Sequence, residues 1–172
     1  INPADDASFS FAESIFCQNE ADPTPTVTGL AGGTFTSTPA GLSMDPTTGE
    51  IDLSASTVGT FTVTYKTAGP CPNNSDVSIT IDPADDASFA YPAATYCQDE
   101  EDPTPTITGL TGGTFTSTPA GLSLDAVTGE VDLSESSGGT FTITYTTDGP
   151  CPSSSDMMVT INAIDASVTQ YD

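Results

Sequence analysis

Gly59-Thr60-Phe61-Thr62-Val63-Thr64-Tyr65 decides the fold: aromatic or aliphatic residues alternate with threonine. A period of two puts one set on a buried face and the other toward water, as in a half-buried β-strand. Eighty residues later the chain repeats the pattern as Gly139-Thr140-Phe141-Thr142-Ile143-Thr144-Tyr145. Working outward, Val77, Ile79 and Ile81 form a second alternating segment, matched by Met157, Val159 and Ile161. Shorter strand candidates are 7–11, 14–18, 26–29, 33–37, 41–44 and 50–53. Gly32-Gly33, Thr48-Gly49 and Gly69-Pro70 punctuate them. About eight short strands per repeat, with turns every 8–12 residues, predict a β-sandwich. Threonine-rich, β-branched composition without a 3.6-residue apolar stripe argues against helix.

The repeat is the second informative feature. Ile1–Thr80 aligns with Ile81–Thr160 without a gap, and 33–43 is identical to 113–123. The expected organisation is a first unit at 1–81, a second at 82–161 and the start of a third at 162–172. The partial third copy and the absence of an initiating methionine suggest a piece of a longer array. Near-identical tandem units suit length, reach or many weak contacts better than catalysis. The linker around Asp82-Pro83 is short, and Pro83 restricts φ, so neighbouring repeats are expected to be semi-rigidly joined.

Charge and cysteines narrow the setting. There are 24 acidic residues against a single basic one, Lys66, for a formal net charge of -23. Such a surface repels nucleic acid and anionic lipid and attracts divalent cations. No apolar run approaches the ~20 residues needed to span a bilayer. Four cysteines occupy equivalent places in the two repeats. Repeat symmetry favours Cys17 with Cys71 and Cys97 with Cys151, one bridge within each unit; Cys71 with Cys97 is the alternative. Each small unit would gain from such a staple, and disulfides imply an oxidising compartment.

Candidate sites are few. Asp82, Asp85 and Asp86 cluster at the repeat junction, with Asp5 and Asp6 as counterparts and 99–102 as a further acidic run. Three carboxylates with backbone carbonyls could hold calcium, which takes six to eight oxygens; the competing reading is a solvated acidic surface. Asp45-Pro46-Thr47-Thr48-Gly49-Glu50 reads as a hairpin turn capped by the Asp, not a metal loop. The threonine rows read as the solvent faces of strands, not an ice-binding array. Phe9, Phe11, Phe16, Tyr91 and Tyr96 read as core, not as a sugar-stacking platform. Asn73-Asn74-Ser75 matches a glycosylation triplet that the second copy lacks. Without His or Arg, Ser–His and Cys–His machinery cannot be built, and no catalytic residue is assigned.

The segment 41–51, GLSMDPTTGEI, followed by 59–65, GTFTVTY, resembles the signature of bacterial Ig-like repeats. Its second copy is GLSLDAVTGEV with GTFTITY. The cysteine frame with PTPT and GGTFTSTPA resembles tandem repeats of giant surface adhesins and filament proteins of Bacteroidota. That resemblance implies export through the type IX route, a cell-surface location and a role in attachment, gliding or cell capture. It implies no enzyme activity. The expected role is a stalk holding a binding tip away from the cell. The alternatives are repeats that bind glycan or a cell surface weakly through avidity, and an S-layer-like lattice. Expected partners are neighbouring repeats, identical chains in a filament and a target cell reached through regions beyond this segment, with neither nucleic acid nor membrane.

Overall fold

The computed structural model describes residues 3–164, so all but 162–164 of the expected third-repeat start lies outside the described residues. The chain divides into two units, Ile1–Ala84 and Asp85–Asp172. Each is an all-β, immunoglobulin-like sandwich, and no helix occurs among the described residues.

In the first unit the strands are β1 (Phe9–Ser10), β2 (Ile15–Cys17), β3 (Thr26–Val27), β4 (Thr34–Thr38), β5 (Ser43–Met44), β6 (Ile51–Asp52), β7 (Gly59–Lys66) and β8 (Asn74–Asp82). The main sheet has the order β2-β8-β7-β4. β7 runs antiparallel to both β4 and β8, whereas β2 lies parallel to β8 with Ile15, Phe16 and Cys17 opposite Thr80, Ile81 and Asp82. Two short antiparallel pairs, β1-β3 and β5-β6, supply the remainder of the sandwich. The second unit repeats this with β9 (Phe89–Ala90), β10 (Thr95–Cys97), β11 (Thr106–Ile107), β12 (Thr114–Thr118), β13 (Ser123–Leu124), β14 (Val131–Asp132), β15 (Gly139–Thr146) and β16 (Ser154–Asn162). Its main sheet is β10-β16-β15-β12.

The alternation read from the sequence is what builds the core. Phe61, Val63 and Tyr65 point inward and are buried, as are Ile79 and Ile81 of β8, and they pack with Phe9, Phe35, Ile51 and Leu53. The intervening threonines face outward and pair across strands: Thr60 Oγ1 lies 2.9 Å from Thr80 Oγ1, and Thr64 donates to Asp76 Oδ1 at 2.7 Å. Cross-strand pairs of this kind stabilise a sheet surface, so the threonine rows need no ligand to explain them. The five aromatics expected in the core include Phe9, Phe11, Phe16, Tyr91 and Tyr96, all buried. Phe9, Phe35 and Tyr65 form a compact ring cluster with centroids 4.6–5.9 Å apart.

One buried hydroxyl ties the layers together. The Tyr65 hydroxyl accepts from the Gly33 N–H at 2.8 Å and donates to the Leu30 carbonyl at 2.8 Å. Tyr145 does the same with Gly113 and Leu110. The backbone at Gly33 lies so close to the Lys66 carbonyl and the Tyr65 ring that a Cβ there would collide with both. The invariant GGTFTSTPA block therefore begins at a point of close backbone approach, where only glycine fits.

Candidate functional site

Each unit receives the chain at one end and releases it at the other. At the receiving end, here called the head, the loop between β7 and β8 is folded back by Thr67. Its N–H donates to the Asn73 carbonyl at 2.9 Å, and its Oγ1 accepts from the Asn73 N–H at 2.9 Å. The incoming segment docks on this loop: the Asp5 N–H donates to the Cys71 carbonyl at 2.9 Å, and Thr67 Oγ1 lies 3.2 Å from Asp5 Oδ2. The Asn73 side-chain amide adds a bond to the Asp5 carbonyl at 3.0 Å, so the glycosylation-like triplet has a structural use. In the second unit Asp85, Thr147, Cys151 and Ser153 repeat the arrangement, with Asp85 N–H to Cys151 carbonyl at 2.8 Å and Thr147 Oγ1 to Asp85 Oδ2 at 3.0 Å.

The releasing end, or tail, is built where β2 pairs with the last residues of β8. Cys17 stands opposite Asp82, and the Gln18 N–H donates to the Asp82 carbonyl at 3.0 Å. Glu20 closes a local turn, its carboxylate accepting from the Cys17 N–H at 3.0 Å. Gln18 Nε2 reaches the Ser56 carbonyl at 2.7 Å. Cys97, Gln98 and Glu100 do the same beside Asn162 in the second unit. Head and tail residues lie up to 68 positions apart in sequence, so no local pattern announces them; their near repetition is the one available signal.

This geometry corrects the expected cysteine pairing. Cys71 and Cys97 carry free thiols, so neither Cys17–Cys71 nor Cys97–Cys151 forms, and neither does Cys71–Cys97. Cys17 and Cys151 are disulfide-bonded. The reason is distance within a unit. Cys17 sits beside Asp82 at one end of β8, while Cys71 precedes Asn74 at the other. Nine extended residues span about 26 Å at roughly 3.3 Å each, and a disulfide needs Cα atoms within ~7 Å. Repeat symmetry fixed which cysteines are equivalent but not which are near.

The expected calcium cluster is also not assembled. Among the described residues no group of three or more His, Cys, Asp or Glu is placed to hold a metal ion. Asp82 ends β8, Asp85 is bound to Thr147 at the head of the second unit, and Asp86 Oδ1 accepts from the Ser88 N–H at 2.9 Å. The Ser88 hydroxyl and N–H hold the Asp86 carboxyl below its ordinary range, as the Ser8 groups do for Asp6. The Asp45 turn is the capped hairpin expected. Asp45 Oδ1 accepts from the N–H groups of Thr47 and Thr48, both at 2.8 Å, and Gly49 takes φ +74°. These donors, Thr48 first, lower the Asp45 pKa, and Asp125 is lowered by Thr128 and then Val127. Several carboxylates are thus used in shaping turns. A shallow recess of about 240 Å³ in the first unit is lined by Asp22, Ser43, Met44, Asp45, Glu50 and Asp52. Three of its carboxylates already accept backbone bonds: Asp22 from Leu53, Asp45 from its turn and Asp52 from Ala55.

No family model matches the chain, and no curated protein matches it. Among solved structures it is similar to Drosophila N-cadherin EC1-4, at 14% identity and a TM-score of 0.39, covering 92% of this chain and 50% of that one. It is also similar to mouse cadherin-23 EC22-24, at 16% identity and a TM-score of 0.34, covering 94% of this chain and 67% of that one. The chain therefore spans about half the length of the N-cadherin structure it matches.

Proposed function

We propose that the chain is a structural segment of an extracellular adhesin or filament, its repeats strung end to end to hold a binding region away from a bacterial surface. The observation that carries this reading is the placement of head and tail at opposite ends of each unit. A chain that enters beside Cys71 and leaves beside Cys17 advances along the full length of β8 with every repeat. Cores made of aromatic and aliphatic side chains, and carboxylates used as turn caps, suit a spacer better than a reaction site. Disulfide-bonded Cys17 and Cys151 suit an oxidising, extracellular compartment. The resemblance of 41–51 and 59–65 to bacterial Ig-like repeats, and of the wider frame to Bacteroidota surface proteins, supplies the surface setting and the type IX export route.

Small-angle scattering of the 172-residue chain in high salt tests the reading. A longest dimension roughly twice that of one unit is expected. A dimension near that of one unit, with the repeats side by side, would overturn it.

A further inference from the structure

The two free thiols are not equivalent to each other. By the 80-residue period Cys97 is the counterpart of Cys17, a tail cysteine, and Cys71 is the counterpart of Cys151, a head cysteine. One tail cysteine, Cys17, and one head cysteine, Cys151, are disulfide-bonded, while the remaining tail and head cysteines are free and partly exposed. Each pair of counterparts sits in the same local frame. Cys17 and Cys97 both lie opposite the last residue of the final strand and have their N–H capped by a glutamate three residues on. Cys71 and Cys151 both accept from the N–H of the incoming aspartate. Within a unit the two types are held about 26 Å apart along the last strand. No unit can satisfy its own pair.

We propose that Cys97 and Cys71 are the two halves of a head-to-tail linkage: the tail thiol of one repeat bonds the head thiol of another repeat of the same sequence, so that a covalent staple joins each repeat to the next. For this chain the partner is a second copy of itself, Cys97 of one bonding Cys71 of the other. The linkage rests on the end-to-end reading above, yet its readout is separate: scattering reports arrangement, whereas cross-linking reports thiol pairing. Chemically, the Cys97 thiolate attacks a small-molecule disulfide such as oxidised glutathione, forming a mixed disulfide and releasing one glutathione thiolate. The Cys71 thiolate of the other copy then attacks the Cys97 sulfur and releases the second. Two cysteine thiols are oxidised and one small disulfide is reduced to two thiols, which take up, through solvent, the two protons the cysteines gave up.

The polarity gives a decisive test. Cys71→Ser and Cys97→Ser variants of the full chain are incubated separately and as an equimolar mixture. The buffer contains a glutathione redox pair and about 1 M NaCl, which shortens electrostatic repulsion to ~3 Å. The mixture is expected to yield a covalent dimer as its main product, with a Cys97–Cys71 cross-linked peptide by mass spectrometry. Each variant alone is expected to stay monomeric, and the unaltered chain to form a ladder. Equal dimerisation of each variant alone would mean indiscriminate oxidation and would overturn the proposal. So would the absence of dimer in the mixture while both thiols still react with a small alkylating reagent. A monomeric unaltered chain that has lost both thiols would show an internal Cys71–Cys97 bond and overturn it as well.

Discussion

The two repeats share a frame and differ most in one place, the run 10–16 against 90–96. In the first unit Phe11 and Phe16 fill this part of the core as bare rings, 6.2 Å apart in an edge-on pair. In the second the same positions are Tyr91 and Tyr96, and both hydroxyls have backbone partners. The Tyr91 hydroxyl donates to the Gly129 carbonyl, and the Tyr96 hydroxyl accepts from the Ala93 N–H at 2.8 Å. Burial, with the neighbouring Tyr96 second, pushes the Tyr91 phenol well above its ordinary value of 10.0, so it stays a neutral donor. The sheet and the turn caps are conserved between copies while this corner is free to vary, provided each added polar atom is paired. A shared feature should therefore respond alike in both units, and a divergent one should not.

The largest test concerns the shared core. Val63 and Ile143 occupy the same position and are both fully buried. Ile143→Ala should destabilise its unit by about 2–5 kcal/mol, and Val63→Ala by about 0.5–1.5 kcal/mol less, since one methylene fewer is lost. Urea titration followed by amide signals assigned to each unit measures both. Next, Tyr65→Phe and Tyr145→Phe each leave a buried glycine N–H and a part-buried leucine carbonyl without their partner, and should each cost about 1–3 kcal/mol. A clear inequality between the two would break the claim of a common frame.

The divergent corner should give a smaller and asymmetric response. Tyr91→Phe removes one donor to Gly129 and should cost about 1 kcal/mol. The converse Phe11→Tyr should be tolerated within about 1 kcal/mol, because Gly49 stands where Gly129 does. A loss well beyond that would show that the two corners are packed differently rather than merely decorated differently.

The smallest effect is electrostatic and again shared. Asp45 and Asp125 have folded pKa values below the ordinary 3.8, through backbone donors that favour the charged form. A lowered folded value means stability that is present above the unfolded pKa and lost as pH falls through the folded one. The contribution of these two caps should therefore be lost as the pH falls below about 3.8. Asp45→Asn should remove the Asp45 share of this response from the first unit, where Asp6 and Asp52 keep theirs, while leaving the second unit unchanged. Exchange rates of the Thr47, Thr48, Val127 and Thr128 amides against pH would report it.

Much of this protein could be read locally. Alternation in 59–65 and 77–81 identifies the two long strands because period two is a property of neighbouring residues, and the structure places them at Gly59–Lys66 and Asn74–Asp82. The Asp45 turn is equally local, its cap and its glycine lying within five residues of each other. The shorter strands were placed but overdrawn: the segment read as 7–11 is a strand only at Phe9–Ser10, with Ser8 accepting from Thr28 and Gly29 just before it.

What the sequence determined by itself was the strand content, the two-unit division and the equivalence of positions 80 residues apart, since each rests on short-range pattern or direct identity. What the tertiary structure decided was proximity. The parallel docking of β2 on the end of β8 sends Cys17 to the tail, and the hydrogen bonds of Asp5 hold Cys71 at the head. Those pairings join residues more than sixty positions apart, and no periodicity encodes which end of a sheet such a residue reaches. Only the assembled sheet fixes that, and with it which cysteines can ever meet.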